Sequence, residues 1–154
     1  MRLGQLLDHT GLDVLDHLER EVAVPVIDGP QAQGDLIVLP AVELAYVKPW
    51  RESGWSQVPP EGVDLIRGGN GANPHTLVGD PGTCRFTWEV RDSLGLALAL
   101  LENTAPVYLI HPEHGGTGIA PGRWVVRRQQ ERGRPRRGSG FTWGDGLSPN
   151  FVVD

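Results

Sequence analysis

Between Gly34 and Glu131 the chain is cut into short runs of strand-forming residues by turn-forming ones, and this rhythm limits the fold more than any other feature. The runs are Leu36 to Leu39, Val42 to Val47, Val63 to Arg67, His75 to Val78, Cys84 to Arg91, Leu96 to Leu101, Val107 to His111 and Trp124 to Gln129, separated by Pro, Gly, Asn and Asp. Glycine and proline in a helix interior cost about 1 and about 3 kcal/mol relative to alanine, whereas tight turns between strands need them. With 21 Gly and 13 Pro in 154 residues, long helices have little room. The spacing predicts a mainly β fold, a small β-barrel or β-sandwich. In Arg123 to Gln130, Trp124 and Val126 fall on one face and Arg123, Val125 and Arg127 on the other, the period of a strand with two different surroundings.

Ahead of this body, Leu3, Leu6, Leu7, Val14, Leu15, Leu18 and Val22 stand at helical spacing, interrupted at Thr10-Gly11. They predict two short helical pieces, with Thr10 and Asp13 placed as a capping pair. Helices this short are marginal alone, so their apolar stripe is expected to pack on the body or on a second subunit. The organisation read from the sequence is a helical arm and linker over 1–33, a β domain over 34–131, and a basic, Gly-rich, aromatic tail over 132–154 that carries Phe141, Trp143, Leu147 and Phe151.

Charge is unevenly spread. Arg123 to Arg137 holds seven Arg against one Glu, net +6, which leaves −11 for the rest of a chain whose total is −5. Such polarity suits docking of a basic tail on an acidic body, self-association, or an external polyanion. A single cysteine, Cys84, excludes an internal disulfide and a multi-cysteine zinc site. No stretch approaches the apolar length of a membrane span, and Met1 to Leu7 lacks a secretory pattern. Cytoplasmic residence is the expectation, a profile shared by virion components made in the cytoplasm.

The residues with most chemical potential are His111-Pro112-Glu113-His114-Gly115-Gly116, where imidazole and carboxylate groups leave a strand together, and His75 in Gly71-Ala72-Asn73-Pro74-His75. Histidine and glutamate are ligands that Zn, Fe, Mn or Ni accept, so one divalent ion held by His75, His111, Glu113 and His114 is a candidate site. On an extended strand His111 and Glu113 share a face and His114 points away, so a turn at Pro112 has to re-aim them. The alternative is that all are polar turn residues at a strand end.

These residues carry a resemblance. Gly34-Asp35 opening a strand, the Gly-rich turn before His75, the His-Pro-Glu-His-Gly turn, and Pro121-Gly122-Arg123-Trp124-x-Val126-Arg127-Arg128-Gln129-x-Glu131 resemble a group of small uncharacterised bacterial and phage-associated proteins. In that group a Gly-His-x-His motif precedes a Glu-Glu-His turn and a Pro-Gly-x-Tyr-x-Val-x-Arg-Gln-x-Glu strand. The resemblance spans about Gly34 to Glu131. The chain also distantly resembles the cupins, small β-barrels that present two histidines and a carboxylate from one motif and a further histidine from another. It implies a metal role for His75, Glu113 and His114. The chain departs from the pattern at Asn73, which stands where another histidine is expected.

A second candidate surface is the arginine run Arg127, Arg128, Arg132, Arg134, Arg136 and Arg137 with Trp143, a pattern able to track phosphates while rings stack on bases. Its bland counterpart is a solvated tail. Gly68 to Asn73 lacks the Lys-Ser or Lys-Thr of a phosphate loop, and Cys84 reads as a buried core thiol. Trp50, Trp55 and Trp88 read as core or barrel-mouth residues. Three readings of function follow. The first is a non-enzymatic β domain that binds a protein partner or assembles as a homo-oligomer, without a membrane. The second is a metal-dependent cupin-like enzyme, and the third is nucleic-acid binding through the arginines.

Overall fold

The computed structural model describes residues 1–12, 23–66, 73–131 and 150–151. It opens with helix α1 (Leu3–Thr10), followed by strands β1 (Val26–Ile27), β2 (Gln31–Gln33), β3 (Leu36–Pro40), β4 (Lys48–Pro49), β5 (Ser56–Gln57), β6 (Val63–Ile66) and β7 (His75–Val78). The second half holds β8 (Cys84–Thr87), β9 (Val90–Arg91), β10 (Ala97–Asn103), β11 (Val107–His111), β12 (Gly115–Ile119), β13 (Gly122–Arg128), β14 (Gln130–Glu131) and β15 (Asn150–Phe151).

Two sheets hold most of them: a five-stranded sheet in the order β1-β12-β11-β7-β6 and a six-stranded sheet in the order β2-β3-β13-β10-β8-β5. Among the described residues neither sheet closes on itself, since β1, β6, β2 and β5 each have one neighbour within their sheet. The fold is therefore mainly β and sandwich-like, and the barrel alternative is corrected. Alternation of side chains fills the space between the sheets: Leu77, Leu109 and Ile119 from one join Leu36, Val38, Leu101, Trp124 and Val126 from the other in a single core cluster.

The outer face of the five-stranded sheet is covered by α1. Leu3, Leu6 and Leu7 pack with Val78 and Ile110, the outward residues of β7 and β11, so the apolar stripe of the helix is buried within its own chain. The helix stops at Gly11, whose φ of 69° is the left-handed conformation glycine adopts without strain and whose amide donates to Leu7 O. The Thr10 hydroxyl donates to Leu6 O at 2.8 Å; Asp13 and the second helical piece expected from the sequence lie outside the described residues.

The outer face of the six-stranded sheet is covered differently. Val42 to Val47, expected as a strand, begins as a 3₁₀ turn over Ala41–Leu44. The reason lies in the apolar spacing: Ala41, Leu44 and Val47 are three apart, and these three pack on Leu100 and Val125. The run from Cys84 to Arg91 breaks at Trp88-Glu89, where β9 leaves the sheet to pair with β4. Trp50 and Trp88 are exposed rather than core, with the Arg91 guanidinium 4.2 Å from the Trp50 ring centre and Trp88 edge-on to Phe86.

Strand β12, Gly-Gly-Thr-Gly-Ile, is poor in strand formers and was not among the expected runs. Close packing explains it. A Cβ on Gly118 would lie 2.9 Å from Pro25 O and 3.1 Å from Val26 Cα, and one on Gly116 would lie 3.2 Å from Leu3 Cδ1. The glycines let β1 and α1 approach β12 at backbone distance.

Candidate metal centre

The site grows out of strand register. Leu77 and Leu109 point into the core, so His75 and His111, two residues along on β7 and β11, point the same way at the end of the sandwich. Both are 1% exposed, and their ring centres lie 4.5 Å apart.

Two residues at the β2–β3 turn hold His75. The Gln33 amide donates through Nε2 to Leu109 O at 3.2 Å and Gly115 O at 3.3 Å, which turns its Oε1 toward His75 Nδ1 at 3.0 Å. His75 Nδ1 is therefore a donor, and its Nε2 lies 3.1 Å from Asp35 Oδ1. Asp35 is 2% exposed, and its Oδ2 stands 3.4 Å from Arg128 Nε. Gln33, Asp35, His75 and Arg128 thus form a polar group connected from one sheet to the other, and Gln33 also grips both strands of the β11–β12 hairpin.

Strand β11 ends at His111, and the following turn brings Glu113 and His114 back over it. The amides of Glu113 and His114 donate to His111 Nδ1 at 3.1 and 3.3 Å, and Gly115, at φ 76°, takes a left-handed conformation that returns the chain into β12. The re-aiming that an extended strand forbids is done by this turn. One ligand atom from each of His111, Glu113 and His114 lies within 4.8 Å of the others, with His111 buried and the other two exposed. The rings of His111 and His114 are 4.4 Å apart, centre to centre.

Of the four residues expected to share an ion, three converge in this way. His75 stands beside them, in ring contact with His111, with its nitrogens on Gln33 and Asp35. Gln33 and Asp35 were not singled out from the sequence as site residues. Their only visible signal is the Gly-Asp turn, some forty positions from the histidine they support.

The arginine run is divided. Arg127 donates to the Tyr46 hydroxyl on the outer face of the six-stranded sheet, while Arg128 stands beside Asp35, so neighbours in sequence serve opposite sides. Arg132, Arg134, Arg136, Arg137 and Trp143 lie outside the described residues, as does most of the Gly68 to Asn73 loop. Cys84 is buried, and burial pushes its thiol up to about 12, against the backbone hydrogen bond that would lower it. That leaves it without thiolate character near neutral pH. No helix among the described residues is long and apolar enough to cross a membrane.

No curated protein and no solved structure matches the chain. One family model does, over residues 32–129, a span that runs from β2 to the end of β13 and contains Gln33, Asp35, His75, His111, Glu113, His114 and Arg128; the chain belongs to this family, described as a domain of unknown function, DUF8820.

Proposed function

We propose that this domain holds one divalent transition-metal ion at the mouth of its sandwich through His111, Glu113 and His114, with the remaining coordination position open to water or a small ligand. The observation that carries the reading is the turn at Pro112, which gathers two imidazoles and a carboxylate at one point, half sunk in the fold. That donor set suits Zn, Fe, Mn or Ni, and three protein ligands with an open position are the pattern of a reactive rather than a purely structural ion.

The fit requires a small closing movement. Ligand atoms around a common ion at about 2.1 Å stand roughly 3.4 Å apart, and here they span up to 4.8 Å. Glu113 and His114 are exposed, and a rotamer change at each would close the gap. His111 sets a further condition. Its Nδ1 accepts two backbone amides, so an ion bound at Nδ1 has to displace them, and an ion at Nε2 requires the ring proton to move to Nδ1, which then no longer accepts. Either route disturbs the Glu113 and His114 amides. Behind the ligands, Gln33 fixes the hairpin and His75 backs the His111 ring, the outer-shell support that metal sites use to orient their ligands. A metal-dependent cupin-like enzyme is the finer form of this proposal, with His75 supporting rather than ligating.

The test is a calorimetric titration of the chelator-treated chain with Zn²⁺, followed by amide NMR. One equivalent should bind, with the Glu113 and His114 amide signals moving most. Glu113→Gln and His114→Ala should each weaken binding at least tenfold while leaving the fold intact. Affinity unchanged in both variants would overturn the proposal.

A further inference from the structure

At the other end of β12 the molecule carries a second feature, independent of any ion. Five residues of strand separate the His111 turn from Pro121, about 17 Å at a strand's rise per residue. There the 3₁₀ turn over Ala41–Leu44 and the β12–β13 connection enclose a cleft of about 510 Å³. This falls inside the roughly 300–1,000 Å³ range of small-molecule sites. Its walls are apolar, with Val42, Val47 and Pro121 among them, and its charged lining residues are Lys48, Arg123 and Asp28.

Two observations point to what it takes. Val42 is 86% exposed, the most exposed large apolar side chain among the described residues, although it stands on a cleft wall. Lys48 and Arg123 have no carboxylate at ion-pair distance among the described residues; the Arg123 guanidinium stands 5.6 Å from the centre of the Trp55 ring. Other described cations do have such polar partners: Arg51 pairs with Glu89 and Arg85 with Glu102, while Arg127 donates to Tyr46. Two cations without a carboxylate at ion-pair distance, against one lining carboxylate, leave the cleft net positive over an apolar wall.

We infer that this cleft binds a small amphipathic organic anion, a carboxylate on a hydrocarbon or aromatic body, with Lys48 and Arg123 taking the charged group and Val42, Val47 and Pro121 covering the apolar part. An apolar body alone would leave both cations unused, and an inorganic anion alone would leave Val42 in water. The combination fits both surfaces at once.

The test uses the full chain in the presence of a chelator, so that no binding runs through an ion. Displacement of 8-anilino-1-naphthalenesulfonate fluorescence by octanoate is followed, with octan-1-ol as the uncharged counterpart. Octanoate should displace the dye and octanol should do so at least tenfold less well. The Lys48→Gln, Arg123→Gln double variant should lose about tenfold or more in octanoate affinity, as expected when charge-assisted bonds are removed. The Lys48→Arg, Arg123→Lys variant should restore most of it, and Val42→Asp should weaken dye and octanoate alike. All the altered side chains are exposed, and near-UV circular dichroism checks that each variant keeps the native packing. Failure of octanoate to bind, equal competition by octanol, or an unaffected double Gln variant would each overturn the inference.

Discussion

The two ends of the sandwich handle polar groups in opposite ways. At the histidine end, Gln33, Asp35, His75 and His111 are buried; hydrogen bonds tie the first three across strands, and His111 accepts the amides of its own turn. At the cleft end, Lys48 and Arg123 stand in solvent above apolar walls, and little of the fold depends on them. Burial makes the first group expensive to disturb, because a polar partner left behind in the interior keeps its desolvation cost. Exposure makes the second group cheap to change and available to a ligand. Support for an ion and recognition of an anion are thereby placed where their energetic demands differ.

The contrast breaks most sharply at Asp35. Asp35→Ala removes the carboxylate between His75 and Arg128, and the loss should be about 3 to 5 kcal/mol in urea unfolding, as for other buried pairs that lose one member. A loss below about 1 kcal/mol would mean that this end is not the rigid one. Gly118, on β12 where it pairs with β1, comes next. A Cβ there meets Pro25 O and Val26 Cα, backbone that cannot step aside, so Gly118→Ala should cost about 1 to 3 kcal/mol and raise hydrogen-exchange rates at Ala120, whose amide donates to Ile27 O.

Asp92 sharpens the comparison on the outer face of the six-stranded sheet. Burial by itself would raise its carboxyl, but the amides of Leu94, Ala97 and Leu96, at 2.7 to 2.9 Å, and the Arg127 charge hold it below the usual carboxylate range. A lowered folded-state value means that its contribution is present above the unfolded carboxyl value of about 3.9 and lost as pH falls through the folded one. Asp92→Asn should therefore cost about 1 kcal/mol or less at neutral pH, and the difference from the parent should disappear in strong acid. A difference that persists there would assign the effect to packing. At the small end, Lys48→Gln and His114→Ala should each stay within about 0.5 kcal/mol of the parent in thermal unfolding, all chains compared in the presence of a chelator. A larger loss at either would contradict the exposed, fold-neutral character given to both positions.

How far the sequence reached depended on whether a signal was local. Strands β7 and β11 were read with the bounds they have, because Pro, Gly and Asn delimit compact runs of strand formers around them. Their alternation alone would have placed His75 with Leu77 and His111 with Leu109 on the core side. What failed locally was decided by packing. Strand β12 is a strand through the approach of β1 and α1 to its glycines, and Ala41–Leu44 is a 3₁₀ turn because it has to cap Leu100 and Val125. The convergence of His111, Glu113 and His114 needed only the turn at Pro112, and its possibility was legible. The hold of Gln33 and Asp35 on His75 was not, since it spans 42 and 40 positions and no periodicity encodes it.

The most direct measurement is the metal content of the untagged protein by elemental mass spectrometry, alongside His114→Ala. Close to one divalent ion per chain, lost in the variant while its near-UV circular dichroism shows the native packing kept, is the expected result. Absence of metal, with no uptake of Zn, Fe, Mn or Ni on reconstitution, would contradict the account and leave the His111 turn as a structural cap on the sandwich.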